Sequence, residues 1–178
     1  MPKGCRDHVH VFFLNGLDPW GVGNFEGLAA FVNGLGFKNT HYGELYDTEK
    51  FRKTIRSIHD EDRQARFALV GFSFGSNQAC TLANELRQDG IELDLLVYLS
   101  GDTLKNTPEY RPPNVRQVIN IRSYGHRGLL FGLVWDGVEL DGAENLRVTE
   151  VSHCGVPAWH ETHEVLAQRL TEVASTVR

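Results

Sequence analysis

Cysteine is scarce in this sequence: three residues in 178, Cys5, Cys80 and Cys154, at spacings that match neither a disulfide framework nor a zinc knuckle. A reducing compartment is therefore expected. Staples are not needed either, because a chain of this length buries roughly 70% of the surface its unfolded form exposes. Clusters of cations are missing too. The formal net charge is −5, and the basic residues stand singly or in short groups such as Arg52-Lys53 and Arg63 with Arg66, which argues against nucleic acid as a partner. Long apolar runs are absent, the longest being strand-length against the roughly 20 residues of a membrane span, and Met1 to Asp7 carries no apolar signal core. A cytoplasmic chain without a membrane span is expected. What remains, 41% hydrophobic and 23% charged residues with no repeat, linker or low-complexity tract, is the profile of one globular domain over residues 1–178.

The pattern along the chain alternates strand and helix. His8 to Leu14 is rich in aromatic and β-branched residues and stops at Asn15-Gly16, and Phe25 to Leu35 carries apolar residues at helical spacing between Asn24 as a cap and Gly36 as a stop. A weaker strand near Asn39 to Tyr42 and a polar helix from Thr48 to Gln64 precede a strong strand, Arg66 to Phe72. Gly75 to Gln88 reads as a helix with Ala79, Leu82, Ala83 and Leu86 on one face and Gly90 as terminator. Further strands are predicted at Leu93 to Leu99, Val115 to Arg122 and Leu146 to Val151, then a last helix with Pro157 in its first turn. The connection Ser100 to Asn114 holds Pro108, Pro112 and Pro113 and makes a poor crossover helix, and Ser123 to Asn145 is irregular. Such interleaving predicts an α/β three-layer sandwich with a mainly parallel sheet of about six strands.

Gly71-Phe72-Ser73-Phe74-Gly75 matches G-x-S-x-G where a strong strand meets a strong helix. The turn this requires is so sharp that side chains at the two glycines would collide with neighbouring backbone, and it pushes Ser73 outward as a candidate nucleophile. The helix N-terminus behind it favours developing negative charge, and the Phe74 N–H is a candidate oxyanion donor. A serine needs a base from a distant part of the chain. Among eight histidines, His153 follows the last strand directly, which brings it to the same sheet edge as Ser73. His8 and His10 lie in the first strand, His59 and His163 in helices, and His41 and His126 in loops. For the acid, Asp102 lies just past the strand Leu93 to Leu99, with Asp136, Asp141 and Glu150 as rivals.

With these residues in place, the chain resembles the α/β-hydrolase superfamily, in particular its small capless members, from His8 to the last helix. The resemblance implies a minimal α/β-hydrolase core whose second oxyanion donor comes from the loop after the first strand, Asn15-Gly16-Leu17-Asp18. That points to the Leu17 N–H, with Gly16 allowing close approach to substrate. An acid placed as Asp102 is looks like the arrangement in thioesterase domains. Two departures are visible: the first strands of the full plan are missing, and a Pro-rich loop replaces the crossover helix after Asp102.

The expected chemistry is cleavage of a carboxylic ester or thioester, a small acyl substrate, through an acyl-enzyme on Ser73 with His153 as general base and Asp102 as orienting acid. Trp20, Phe72, Phe74 and Trp135 are candidates to line an apolar acyl site. No cofactor or metal is expected, since His160-Glu161-Thr162-His163 has i, i+3 spacing and not that of H-E-x-x-H, and Cys154 beside His153 lacks a supporting pattern. The reading from a different class is a non-catalytic hydrolase-fold protein that binds a ligand or partner.

Overall fold

The structure is a computed structural model, and it describes residues 4–18, 20–101, 104–123, 137–148 and 150–177. A short helix α1 (Gly4–Asp7) leads into β1 (Val9–Leu14). Then come α2 (Phe25–Gly34), β2 (Asn39–Gly43), α3 (Thr48–Glu61), β3 (Arg66–Phe72), α4 (Phe74–Gln88), β4 (Leu93–Leu99), β5 (Val115–Arg122), β6 (Glu144–Arg147) and α5 (His160–Ser175). The six strands form one parallel sheet in the order β2-β1-β3-β4-β5-β6. This is the mainly parallel six-stranded α/β arrangement that the sequence pattern predicts.

Period-two alternation divides the core in two. Val9, Val11 and Phe13 of β1 and Ala68, Val70 and Phe72 of β3 face α2 and α5, where Phe25, Leu28, Val32, Leu166 and Leu170 complete one apolar layer. Phe12, Leu14, Phe67 and Leu69 point the other way, onto Phe51 and Ile55 of α3 and Ala79, Leu82 and Leu86 of α4. Strands covered on both faces have no polar side, hence their nearly continuous apolar sequences. The chain leaves β1 to build β2 on one flank and returns to build β3 on the other. The carboxyl ends of β1 and β3 thus frame the switch point where sheets of this kind bind ligands.

Several boundaries differ from the sequence pattern. The polar helix stops at Glu61, not Gln64, because the Asp62 carboxylate turns back to accept the Gln64 N–H at 2.8 Å and to meet His8 Nδ1 at 2.6 Å. Asn24 does precede α2, but in the left-handed region (φ 48°) and without a side-chain cap bond; its amide lies over Gly27 instead. The last strand lies two residues earlier than predicted at its start and ends at Arg147. Pairing stops there beyond one Val148 N–H to Arg122 O bond, and Glu150 takes a positive φ of 67°. Pro157 lies before α5, not in its first turn: a 3₁₀ turn at His153–Gly155 and further turns fill the gap. Among the described residues, the Pro-rich connection after β4 holds one 3₁₀ turn, Pro108–Tyr110. Among the described residues no helix is long and apolar enough to cross a membrane.

Candidate active site

Ser73 occupies the turn between β3 and α4 with φ 53° and ψ −124°, a conformation that L-residues avoid. Three glycines make the turn possible by leaving no room for a side chain. A Cβ on Gly71 would lie 2.5 Å from Gly75 O, and one on Gly75 would run into the carbonyl of Leu14 on β1. A Cβ on Gly16, in the loop after β1, would lie 2.6 Å from Phe72 O, 2.8 Å from Ser73 Cβ and 3.1 Å from Phe74 N. The loop after β1 is thus pressed against the serine turn across the switch point. Backbone bonds fix the turn from the other flank, Ser73 N–H donating to Leu99 O at 2.9 Å, and Ser76 Oγ donates to Gly71 O at 2.8 Å from full burial.

Two backbone donors flank the serine. The Gly16 N–H is taken by the buried Asn15 Oδ1 at 2.9 Å, and the Gly16 carbonyl accepts the Asp18 N–H. The N–H groups of Leu17 and Phe74 give no hydrogen bond to another described residue, which leaves them available to an anionic oxygen. Sequence reasoning did not single out the residue that shapes this loop. The Asp18 carboxylate receives the Val22 N–H at 2.9 Å and the Gly23 N–H at 2.7 Å, and a Cβ on Gly23 would strike both that carboxylate and the Phe72 ring. Its signal in the sequence is an aspartate followed by closely spaced glycines, a loop in which backbone N–H groups need an acceptor.

His153 sits in the 3₁₀ turn that follows β6, buried at 6% exposure, with its ring 5.3 Å from the ring of Phe72. The fold thus carries it from 80 residues away to the residue next to Ser73. Phe72 also packs on Phe25 at 5.7 Å and is itself buried, so it forms the floor under the histidine and no accessible wall. Trp20 is 82% exposed, and Leu17 and Phe74 are exposed on either side of the serine. Asp102 lies outside the described residues, as do Trp135, Asp136 and His126. Of the rival acids, Asp141 is in the turn before β6, at the amino edge of the sheet and away from Ser73, while Glu150 is exposed at the carboxyl edge.

The other candidates have structural partners. His163 stacks on Phe31 at 4.5 Å and meets Pro157 O at 3.0 Å, and Trp159 Nε1 donates to Glu161 at 3.1 Å. Burial, with the charge of Asp18, pushes the Cys154 thiol up, away from the thiolate a nucleophile requires. Among the described residues no group of three or more His, Cys, Asp or Glu side chains could hold a metal ion.

No protein-family model and no curated protein matches the sequence. Solved structures do match the fold. A protein from Pectobacterium atrosepticum designated a YdeN-like hydrolase superposes with TM-score 0.51 at 17% identity, covering 98% of this chain and 95% of its own. A protein from Thermoplasma acidophilum designated a CIB-like hydrolase gives 0.51 at 12% identity, over 93% and 86% of the two chains. A protein from Lactobacillus plantarum designated a cell surface hydrolase gives 0.50 at 9%, over 96% and 93%. At such identities the likeness is one of architecture, and the fold of this chain is of the α/β-hydrolase type.

Proposed function

We propose that the chain is a serine hydrolase that cleaves a carboxylic ester or thioester of a small acyl substrate. The observation that carries this reading is the backbone of Ser73: a buried non-glycine residue held at positive φ, between glycines that tolerate no Cβ, beside two uncommitted N–H groups. Strain of this kind costs of order 1–3 kcal/mol and is kept where the geometry serves chemistry. The solved structures of like fold, each designated a hydrolase, support the same class.

In the proposed reaction Ser73 Oγ attacks the acyl carbon and its proton passes to His153. The Leu17 and Phe74 N–H groups hold the resulting oxyanion, and Gly16 lets the substrate carbonyl approach them. Collapse expels the alcohol or thiol, which takes the proton from His153, and water admitted to the acyl-enzyme repeats the sequence to release the acid. Asp102 is the proposed partner that orients the imidazole, and exposed Trp20 the proposed contact for the acyl group, with Phe72 supporting His153 from below. The chemistry is proposed to run in the cytoplasm without a cofactor.

The test is hydrolysis of short-chain p-nitrophenyl esters and acyl thioesters, together with labelling by a fluorophosphonate probe. Wild type should turn over and label; Ser73→Ala should do neither; His153→Ala and Asp102→Asn should lose about 10³-fold or more in kcat. Loss in Ser73→Ala and His153→Ala alone would move the acid to Asp136 or Glu150. Absence of both turnover and labelling in wild type would overturn the enzyme in favour of a ligand-binding protein of the same fold.

A further inference from the structure

Beyond Asp102, the Pro-rich connection after β4 takes no part in the reaction proposed above, yet its residues 105–113 build a cavity of about 770 Å³, within the size range of small-molecule sites. In a doubly wound sheet a crossover helix would cover this position beside α4. Here Pro108, Pro112 and Pro113 forbid one, and the loop leaves a cleft bounded by Asn84 and Arg87 of α4, residues 105–113, Val115 and the Leu140-Asp141 turn. Asn84 lies eleven residues along α4 from Ser73, roughly 16 Å at 1.5 Å per residue, so the cleft is separate from the serine turn.

Its walls are fixed. Asn84 Nδ2 and Cys80 Sγ both donate to Glu109 O, at 2.9 and 3.0 Å, and buried Tyr98 donates through its hydroxyl to Tyr110 O at 3.1 Å. Asn114 ties the end of the loop to Ala83 O and Ile91 O. Across the cleft, Asp141 N–H donates to Asn106 Oδ1 at 2.7 Å. A loop anchored at so many points is a preformed wall.

The cleft is lined by more cations than carboxylates. Arg52, Arg66, Arg116, Arg122 and Arg169 are all ion-paired elsewhere on the molecule. Arg87, Lys105 and Arg111 all line the cleft, and none of them has an ion-pair partner among the described residues. Two carboxylates share the lining, Asp141 and Glu109, the latter held below the usual carboxylate range by its own N–H and the Thr107 hydroxyl, so the three cations exceed them by one charge. Gly142, at φ 73°, leaves space that a Cβ would take from the Arg111 guanidinium. Tyr110, Val115, Leu140 and the prolines supply an apolar surface beside the cations.

We propose that this cleft is a second binding site, for a small phosphate monoester carrying a planar apolar group. Two guanidinium forks and an ammonium suit a phosphate dianion better than a carboxylate, because each guanidinium can pair two of its oxygens. The tests are calorimetric titrations of the full chain with 1-naphthyl phosphate, 1-naphthoate and 1-naphthol, on wild type, Ser73→Ala, Arg111→Gln and Arg87→Gln. The phosphate should bind at least about 10-fold tighter than the neutral naphthol, each Arg→Gln variant should weaken it by about 10-fold, and Ser73→Ala should bind as wild type does. Unchanged urea midpoints would show that the variants fold, and bound phosphate should slow hydrogen exchange over residues 105–113. Naphthol binding as tightly as the phosphate, naphthoate binding tighter than it, or phosphate binding lost in Ser73→Ala but kept in both arginine variants would overturn the proposal.

Discussion

Gly16 and Ser73 touch across the switch point of the sheet, so closely that a Cβ on Gly16 would stand 2.8 Å from the Cβ of Ser73. The same Cβ would be 2.6 Å from the Phe72 carbonyl, which is backbone and cannot swing aside. Gly16→Ala must therefore push the loop after β1 away from the serine turn. Overpacking of this kind costs about 1–3 kcal/mol. Because the loop carries the Leu17 N–H, the shift also moves one proposed oxyanion donor, and a misplacement near 1 Å is worth about 10²-fold in rate. Gly16→Ala is expected to lower both the urea midpoint and kcat, with KM changed little. A stability loss without a rate loss would detach this loop from the chemistry.

Ser73 makes the opposite prediction for stability. Its φ of 53° and ψ of −124° suit glycine, so Ser73→Gly should release strain and stabilise the fold by about 1 kcal/mol, while Ser73→Ala keeps the strain and should not. Both should abolish fluorophosphonate labelling. Denaturation of the three proteins in urea checks the order, and a Ser73→Gly protein less stable than wild type would contradict a strained turn.

The loop between Gly16 and Gly23 gives a third prediction. Asp18 holds it shut through two N–H···O bonds, to Val22 and Gly23, both to one carboxylate. Asp18→Ala should free both donors and let the Leu17 segment drift. Asp18→Asn, which keeps one carbonyl oxygen, should recover part of the loss. The expected signature is a fall in kcat of about 10-fold for alanine and less for asparagine, with faster hydrogen exchange of the Val22 and Gly23 amides. Equal kcat in all three proteins would assign Asp18 to folding alone.

How much of this was legible in the sequence differs between the strands and the loops. The extents of β3 and β4 coincide with their apolar runs, because strands buried on both faces leave few polar positions to blur their ends. The position of Ser73 followed from its glycines, whose steric role is local. Elements ended by side-chain contacts from far along the chain were not legible. The α3 terminus depends on Asp62 meeting His8, 54 residues away. Asp18 escaped notice for a related reason: its acceptors are filled by N–H groups of its own loop, which only a folded loop brings together.

The last prediction concerns acid. His10 on β1 stacks near His41 on β2, with ring centroids 6.2 Å apart, and lies 5.9 Å from Phe67; His8, Lys50 and Asp62 are the other charged or titratable groups acting on the pair. Burial first, and then the neighbouring His41, push His10 down to about 4, with Asp62 pulling weakly the other way. His41 is lowered as well, by burial and by Lys50. His10 Nδ1 and His41 Nε2 are buried without a hydrogen-bond partner among the described residues, so a proton arriving at either site would find no acceptor. A histidine whose folded pKa lies below its unfolded value of 6.5 stabilises the fold fully above that value, and the contribution is lost as pH falls from 6.5 towards 4. The loss attributable to His10 is of the order of a few kcal/mol at its limit. His10→Phe should keep the packing against Phe67 and abolish that part of the acid sensitivity. Urea denaturation at pH 7, 6, 5 and 4 should therefore show the wild-type stability falling more steeply than that of His10→Phe, and parallel curves would mean that His10 takes no part in the acid sensitivity of this fold.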